Sequence, residues 1–210
     1  MNCFKNIWNE IPLEDYELHM QHNTVGQLQL LNKLTKNYLE MLKPETAIFL
    51  GIAGGNGLEH INNTITKKVI GIDINKEYLS TTQKRYAEKI PALHLLQLNL
   101  LKENTTLFKA DFIWAALIVE YAGIDSILKF SYNNLKTNGH LIVSIQVNNL
   151  AQTISETGIE SVKKTGKIFK TVNADELNKK AAGLGFLQVY HEENMLPNGK
   201  SIKTYLFQKI

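Results

Sequence analysis

The sequence predicts an α/β fold, doubly wound on a mostly parallel seven-stranded sheet with a C-terminal antiparallel hairpin. Three observations predict it. Strand and helix patterns alternate from Thr46 to Val147, as in a parallel sheet with crossover helices. A glycine loop, Gly51-Ile-Ala-Gly-Gly-Asn-Gly57, follows the first apolar run, and the next run ends on one carboxylate, Asp73. Near the end, two β-type runs flank the turn signal Pro197-Asn-Gly199.

At the N-terminus, Glu10 to Met20 reads as a short helix, with Pro12 tolerated in its first turn. Thr24-Val-Gly-Gln27 then reads as a capping box. It opens an amphipathic helix whose Leu28, Leu31, Leu34, Tyr38 and Leu42 share one face before Pro44. The first strand runs into the glycine loop, which is expected to feed a helix carrying His60. Lys68 to Ile74 is the second strand. Asn75 caps a helix with Leu79, Thr82, Tyr86 and Ile90 at helical spacing, halted before Pro91.

Ala92 to Leu98 forms the third strand and ends on Asn99-Leu100. The fourth starts at Ala110 and places the small residues Ala115 and Ala116 at its tip, with Glu120 expected as an exposed acid beginning a loop. A helix over Asp125 to Leu135, a turn over Lys136 to Gly139 and an apolar strand from His140 to Val147 follow. Asn173 caps a helix to about Ala182, closed by Gly183 and Gly185. Phe186 to His191 and Ser201 to Gln208 then pair as the hairpin, with roughly nine residues between them, long enough to reach over a pocket.

At 210 residues and 44% hydrophobic, the chain can bury a core without metals or disulfides. Its single cysteine, Cys3, permits no internal disulfide, and with no apolar run of membrane-spanning length or signal-peptide pattern the expected setting is cytoplasmic. The formal charge of +3 consists of lysines scattered among acids, with Arg85 the one arginine. Nucleic acid is therefore a poor partner, because the bidentate donor suited to phosphate and guanine is nearly absent. Lys163, Lys164, Lys167 and Lys170 form the densest basic patch, which reads as a solvated face or an acceptor-side lid.

A loop that brings backbone N–H groups near an anion, followed by an acid at the next strand tip for two vicinal hydroxyls, implies a nucleoside-bearing ligand. The dinucleotide spacing Gly-x-Gly-x-x-Gly fails in each frame, and no Gly-Lys-Ser/Thr follows to make a phosphate loop. What remains resembles the first motif of the class I S-adenosylmethionine-dependent methyltransferases, of Rossmann-like fold and here of the small-molecule type. The family's acid falls on Gly51 and its three glycines on Ala53, Gly55 and Gly57, so two of four markers are substituted.

The resemblance implies S-adenosyl-L-methionine as cofactor. It implies contacts from Gly51, Ile52, Ala53, Gly55 and Gly57 in the loop, from Asp73 and Ile74 to the sugar side, and from Asn99, Leu100 and Ala116 around the base. It also implies one domain, in which residues 1–43 fold as a lid, 46–147 hold the cofactor and 148–210 face the acceptor. Tyr16, His19 and Met20 would then line the pocket.

The implied reaction is in-line transfer of the sulfonium methyl to a small molecule, which needs near-attack positioning and exclusion of water. A hydroxyl or amine acceptor needs a base. His19, Glu120 and Tyr121 are the foremost candidates, with His22 and His191 behind them, and His60 reads as structural.

Absent chemistry excludes several subclasses. No Asn/Asp-Pro-Pro motif serves base amino groups, no Pro-Cys serves cytosine C5, and no acid-rich cluster serves a metal-dependent catechol-type enzyme, so no metal is expected. Two alternatives stand beside transfer: a regulatory protein that holds S-adenosylmethionine without reacting it, and a nicotinamide-dependent oxidoreductase. The sequence leaves acceptor identity and oligomeric state open.

Overall fold

The computed structural model of the protein describes residues 6–102, 106–148 and 153–210. Cys3 and part of the acceptor-side segment after Asn148 lie outside the described residues. Seven strands form one sheet: β1 (Thr46–Leu50), β2 (Lys68–Asp73), β3 (Leu93–Gln97), β4 (Ala110–Ala116), β5 (Leu135–Val147), β6 (Phe186–Met195) and β7 (Ser201–Lys209). Their order is β3-β2-β1-β4-β5-β7-β6, parallel through β5, with β7 antiparallel to both β5 and β6.

Alternation in the central strands divides the core between the two faces. Ile48, Leu50, Ile70, Ile72 and Ile113 point toward α5 (Ile124–Asn134) and α7 (Ala174–Gly183), which contribute Ile127, Phe130, Leu177 and Ala181. Ala47, Phe49, Val69 and Phe112 point the other way. There they meet Leu34 and Tyr38 of α2 (Gln27–Leu42) and Leu79 of α3 (Lys76–Tyr86). Strands covered on both faces are continuous apolar runs, which is why β1 and β2 were legible.

Asn75 caps α3 by accepting from the Glu77 and Tyr78 N–H groups, and Asn173 caps α7 by accepting from Glu176 N–H. Other expectations are corrected. The loop feeds only a three-residue 3-10 turn, Leu58–His60, and no α-helix. Asn62 lies just beyond, its Oδ1 accepting from the Thr64 N–H and hydroxyl, which offers the backbone a turn in place of a helix. No extended helix dipole points at the loop.

The capping box is absent too. Gly26 takes the N-cap in a left-handed conformation, Thr24 bonds His22, and Gln27 turns inward to donate to Gln146 Oε1 at 2.6 Å. Lys136 to Gly139 belong to an irregular start of β5, where the register to β4 shifts between Ala110 and Phe112. β6 extends to Met195, so the hairpin loop spans residues 196–200 and not nine.

Four further elements carry no simple sequence signal. They are a 3-10 turn at Ile7–Glu10, a one-turn helix α4 (Val119–Ala122), and α6 (Glu160–Lys163) with the 3-10 turn Lys164–Lys167 after it. The remaining helix, α1 (Leu13–Gln21), matches the first predicted one. Among the described residues no helix is long and apolar enough to cross a membrane.

Candidate functional site

The carboxyl ends of β1, β2, β3 and β4 converge on one cavity of ≈ 490 Å³, roofed by the N-terminal segment. Asp73 closes β2 and is 8% exposed. Its Oδ2 accepts from Ala53 N–H and its Oδ1 from Asn75 N–H, both at 2.9 Å. Burial pushes the carboxyl above the ordinary aspartate range, against the pull of the backbone donors. The carboxyl keeps acceptor capacity for ligand hydroxyls.

The glycine loop is held from below. Gly51 and Ile52 N–H both donate to Ile72 O, at 2.8 and 3.0 Å, and Gly57 N–H donates to Glu59 Oε2 at 3.0 Å. Gly51 sits at φ +66, with Ile118 3.1 Å from where a Cβ would stand, so an acid there would be strained and crowded. Gly55 and Gly57 lie outside the cavity lining. A Cβ on Gly55 would meet Tyr86 at 2.7 Å, and one on Gly57 would meet Thr35 of α2 at 2.6 Å. Ile52 is buried beneath the loop against Gly71.

Ala53 carries strain. It lies at φ +46 and Leu117 at φ +52, and both line the cavity. Non-glycine residues in this region persist where the surroundings over-determine them, commonly at functional sites. Ala53→Gly is expected to remove ~1–2 kcal/mol of left-handed strain and restore part of it as chain entropy. The net expected in a thermal melt is a gain of about 0.5–1 kcal/mol, roughly 1–4 °C in Tm; a lower Tm would count against strain at this position.

The roof is built from long-range contacts. Asn75 Nδ2 donates to Trp8 O at 2.9 Å and the Tyr78 hydroxyl to Ile11 O at 2.8 Å, so the start of α3 pins the segment before α1. Trp8 stands edge-on to Tyr16 and Tyr121, with centroids 5.7 and 4.9 Å apart, and Tyr16 stacks on Tyr78 at 6.4 Å. At the glycine loop, Arg85 makes a bidentate pair with Glu17 of α1, at 2.5 and 2.9 Å, and also donates to Gly54 O at 3.1 Å. A Cβ on Gly54 would overlap this pair. The one arginine of the chain thus straps α1 across the loop.

Sequence-predicted residues separate clearly in space. Tyr16, Gly51, Ala53, Asp73 and Ile74 line the large cavity, as do Asn99, Leu100, Ala116 and Tyr121. Asn99 Oδ1 also accepts from Leu101 N–H at 3.1 Å, closing its own turn. His19 and Met20 line a small adjoining cavity. His19 is buried, its Nδ1 lies 2.8 Å from Thr157 Oγ1, and burial with Lys200 nearby pushes its pKa down to about 4. His22 bonds Thr24 and His191 stacks on Tyr205, so neither reaches the cavity.

Glu120 corrects the expectation of an exposed acid. It is fully buried in α4, its Oε1 accepts from Gln146 N–H at 2.7 Å, and its Oε2 has no partner. Burial raises its pKa to about 7. Trp8, Tyr78 and the Glu17–Arg85 pair escaped sequence reasoning, because each owes its place to a contact between elements distant in the chain. Among the described residues, no cluster of three or more His, Cys, Asp or Glu is placed to hold a metal.

No family model and no curated protein sequence matches the chain. Solved structures do. Magnesium protoporphyrin IX methyltransferase from Synechocystis PCC 6803, with bound SAH, superposes with a TM-score of 0.70 at 13% identity, over 97% of this chain and 96% of that one. N-methyltransferase NodS from Bradyrhizobium japonicum WM9, in complex with S-adenosyl-L-homocysteine, gives 0.63 at 13% identity over 94% and 97%. The chain has the class I methyltransferase fold. That fold also serves other chemistry, since the [4+2]-cyclase SpnF matches with a TM-score of 0.65 at 12% identity over 86% and 81%. In this methyltransferase fold the cavity lies beyond the carboxyl ends of the parallel strands, where open α/β sheets bind ligands.

Proposed function

We propose that the chain binds S-adenosyl-L-methionine and transfers its methyl group to a small molecule. One observation carries this: a single cavity joins Asp73, the Gly51–Ala53 bend, the Asn99-Leu100 tip and an aromatic roof. The residues fit the cofactor. Asp73 offers its remaining acceptor capacity to the ribose hydroxyls, and Leu100 N–H, without a partner among the described residues, suits a ring nitrogen of adenine. Glu17 lines a small separate cavity with Gly51 and Ala53, on the other side of the bend, and offers a carboxylate to the amino-acid tail in place of the acid absent at Gly51. The faces of Tyr16, Trp8 and Tyr121 favour a cation.

S-adenosylmethionine supplies an electrophilic methyl on a sulfonium leaving group. The chain would contribute positioning, with α1 excluding water.

A second reading has its own support. Among the described residues the lining contains no histidine and, besides Asp73, no carboxylate, so none of them stands out as a base facing the cavity. Binding without transfer fits this. Titration calorimetry with S-adenosylmethionine, S-adenosylhomocysteine, 5′-methylthioadenosine and NAD, followed by transfer of labelled methyl to metabolite pools, separates the readings. The expected result is adenosyl binding, no NAD binding and a labelled product. Glu17→Gln should weaken S-adenosylmethionine about tenfold and leave tail-less methylthioadenosine unchanged. No adenosyl binding would end the proposal, and binding without product would favour the second reading.

A further inference from the structure

The cavity presents one feature that an adenosyl ligand leaves unused, a division within the basic patch of residues 163–170. Lys163 pairs with Glu156 and Glu160, and Lys164 with Glu10 at 3.4 Å. Lys167 and Lys170 line the cavity and make no ion pair among the described residues. A patch serving only solubility has no reason to divide in this way. Its backbone is fixed, too. Ile168 and Phe169 N–H both donate to Thr165 O at 3.0 Å, and Lys170 N–H donates to Glu120 O at 3.0 Å, which seats the segment on α4.

Around these lysines the wall is apolar and aromatic, formed by Ile7, Trp8, Tyr121 and Ile168.

We infer that the methyl acceptor carries an anionic oxygen group, a carboxylate or a phosphate, on an apolar or aromatic body, and that Lys167 and Lys170 receive it. The inference rests on the transfer proposal only for the word acceptor; the anion site stands on its own geometry. Among the described residues Asp73 is the one carboxylate in the lining, and it accepts from backbone donors and not from the lysines.

The test uses benzoate, benzyl phosphate and benzylamine as probes, read by ligand-observed NMR and calorimetry, with and without S-adenosylhomocysteine. Both anions should bind the wild-type chain and the amine should not. The double substitution Lys167→Ala with Lys170→Ala should weaken the anions about tenfold and leave S-adenosylhomocysteine affinity unchanged. Lys163→Ala with Lys164→Ala should change nothing. A preference for benzyl phosphate would assign a phosphate, and parity or preference for benzoate a carboxylate. The inference is overturned if neither anion binds, if benzylamine binds equally well, or if the Lys167 and Lys170 variant keeps full affinity. Anion binding without any adenosyl binding would sink the transfer proposal and leave the anion site standing.

Discussion

Asp73→Asn is expected to weaken S-adenosylmethionine binding by about 10- to 100-fold and to lower stability by about 1–3 kcal/mol. The two losses have different origins. Under the proposal, the ligand's hydroxyls lose a charged acceptor, and charge-assisted hydrogen bonds are roughly twice as strong as neutral ones. The fold loses because Oδ1 and Oδ2 each accept a backbone N–H, from Asn75 and Ala53. An asparagine can present oxygen to only one of them and must turn an NH2 toward the other. Two donors then face each other in a site that is 8% exposed. Calorimetry measures the first effect and a denaturant melt the second. An unchanged dissociation constant together with a lowered melt would make Asp73 a purely structural residue that anchors the glycine loop.

This double duty marks the boundary of what the sequence could tell. Asp73 at the end of an apolar run was visible, because strand burial and a terminal acid are local patterns. Its grip on Ala53, 20 positions away, was not. The same division runs through the fold. β1, β2 and the caps at Asn75 and Asn173 follow from neighbours in the chain. The missing helix after the loop follows from competition by Asn62, and the depth of Glu120 follows from α4, a single turn that no periodicity announces. The roof was legible only as helices; that Trp8 and Arg85 fasten it depends on three-dimensional proximity, with 67 and 68 positions separating the partners.

Glu120 provides the other large effect, and it is one of pH. Its carboxyl ionises near 7 in the folded chain against 4.5 for the free group, because burial penalises the charged form and only one oxygen has a donor. The folded state therefore binds this proton more tightly than the unfolded state does. By linkage, the chain is most stable with respect to this group below about pH 4.5, loses stability as pH rises toward 7, and levels off beyond. A shift of this size corresponds to about 3 kcal/mol, or roughly 6–12 °C in Tm for a chain of this length. Glu120→Gln keeps the shape and an acceptor for Gln146 N–H but cannot ionise. Its melting temperature should follow a flatter pH profile across that window than the wild type, whatever the offset between the two at low pH. The unpartnered amide would cost about 1–3 kcal/mol at every pH, so slope and not height is the informative quantity. Parallel profiles for the two proteins would mean that Glu120 finds a counter-charge or opens to water on ionising, and that its buried carboxyl does not govern stability between about pH 4.5 and 7.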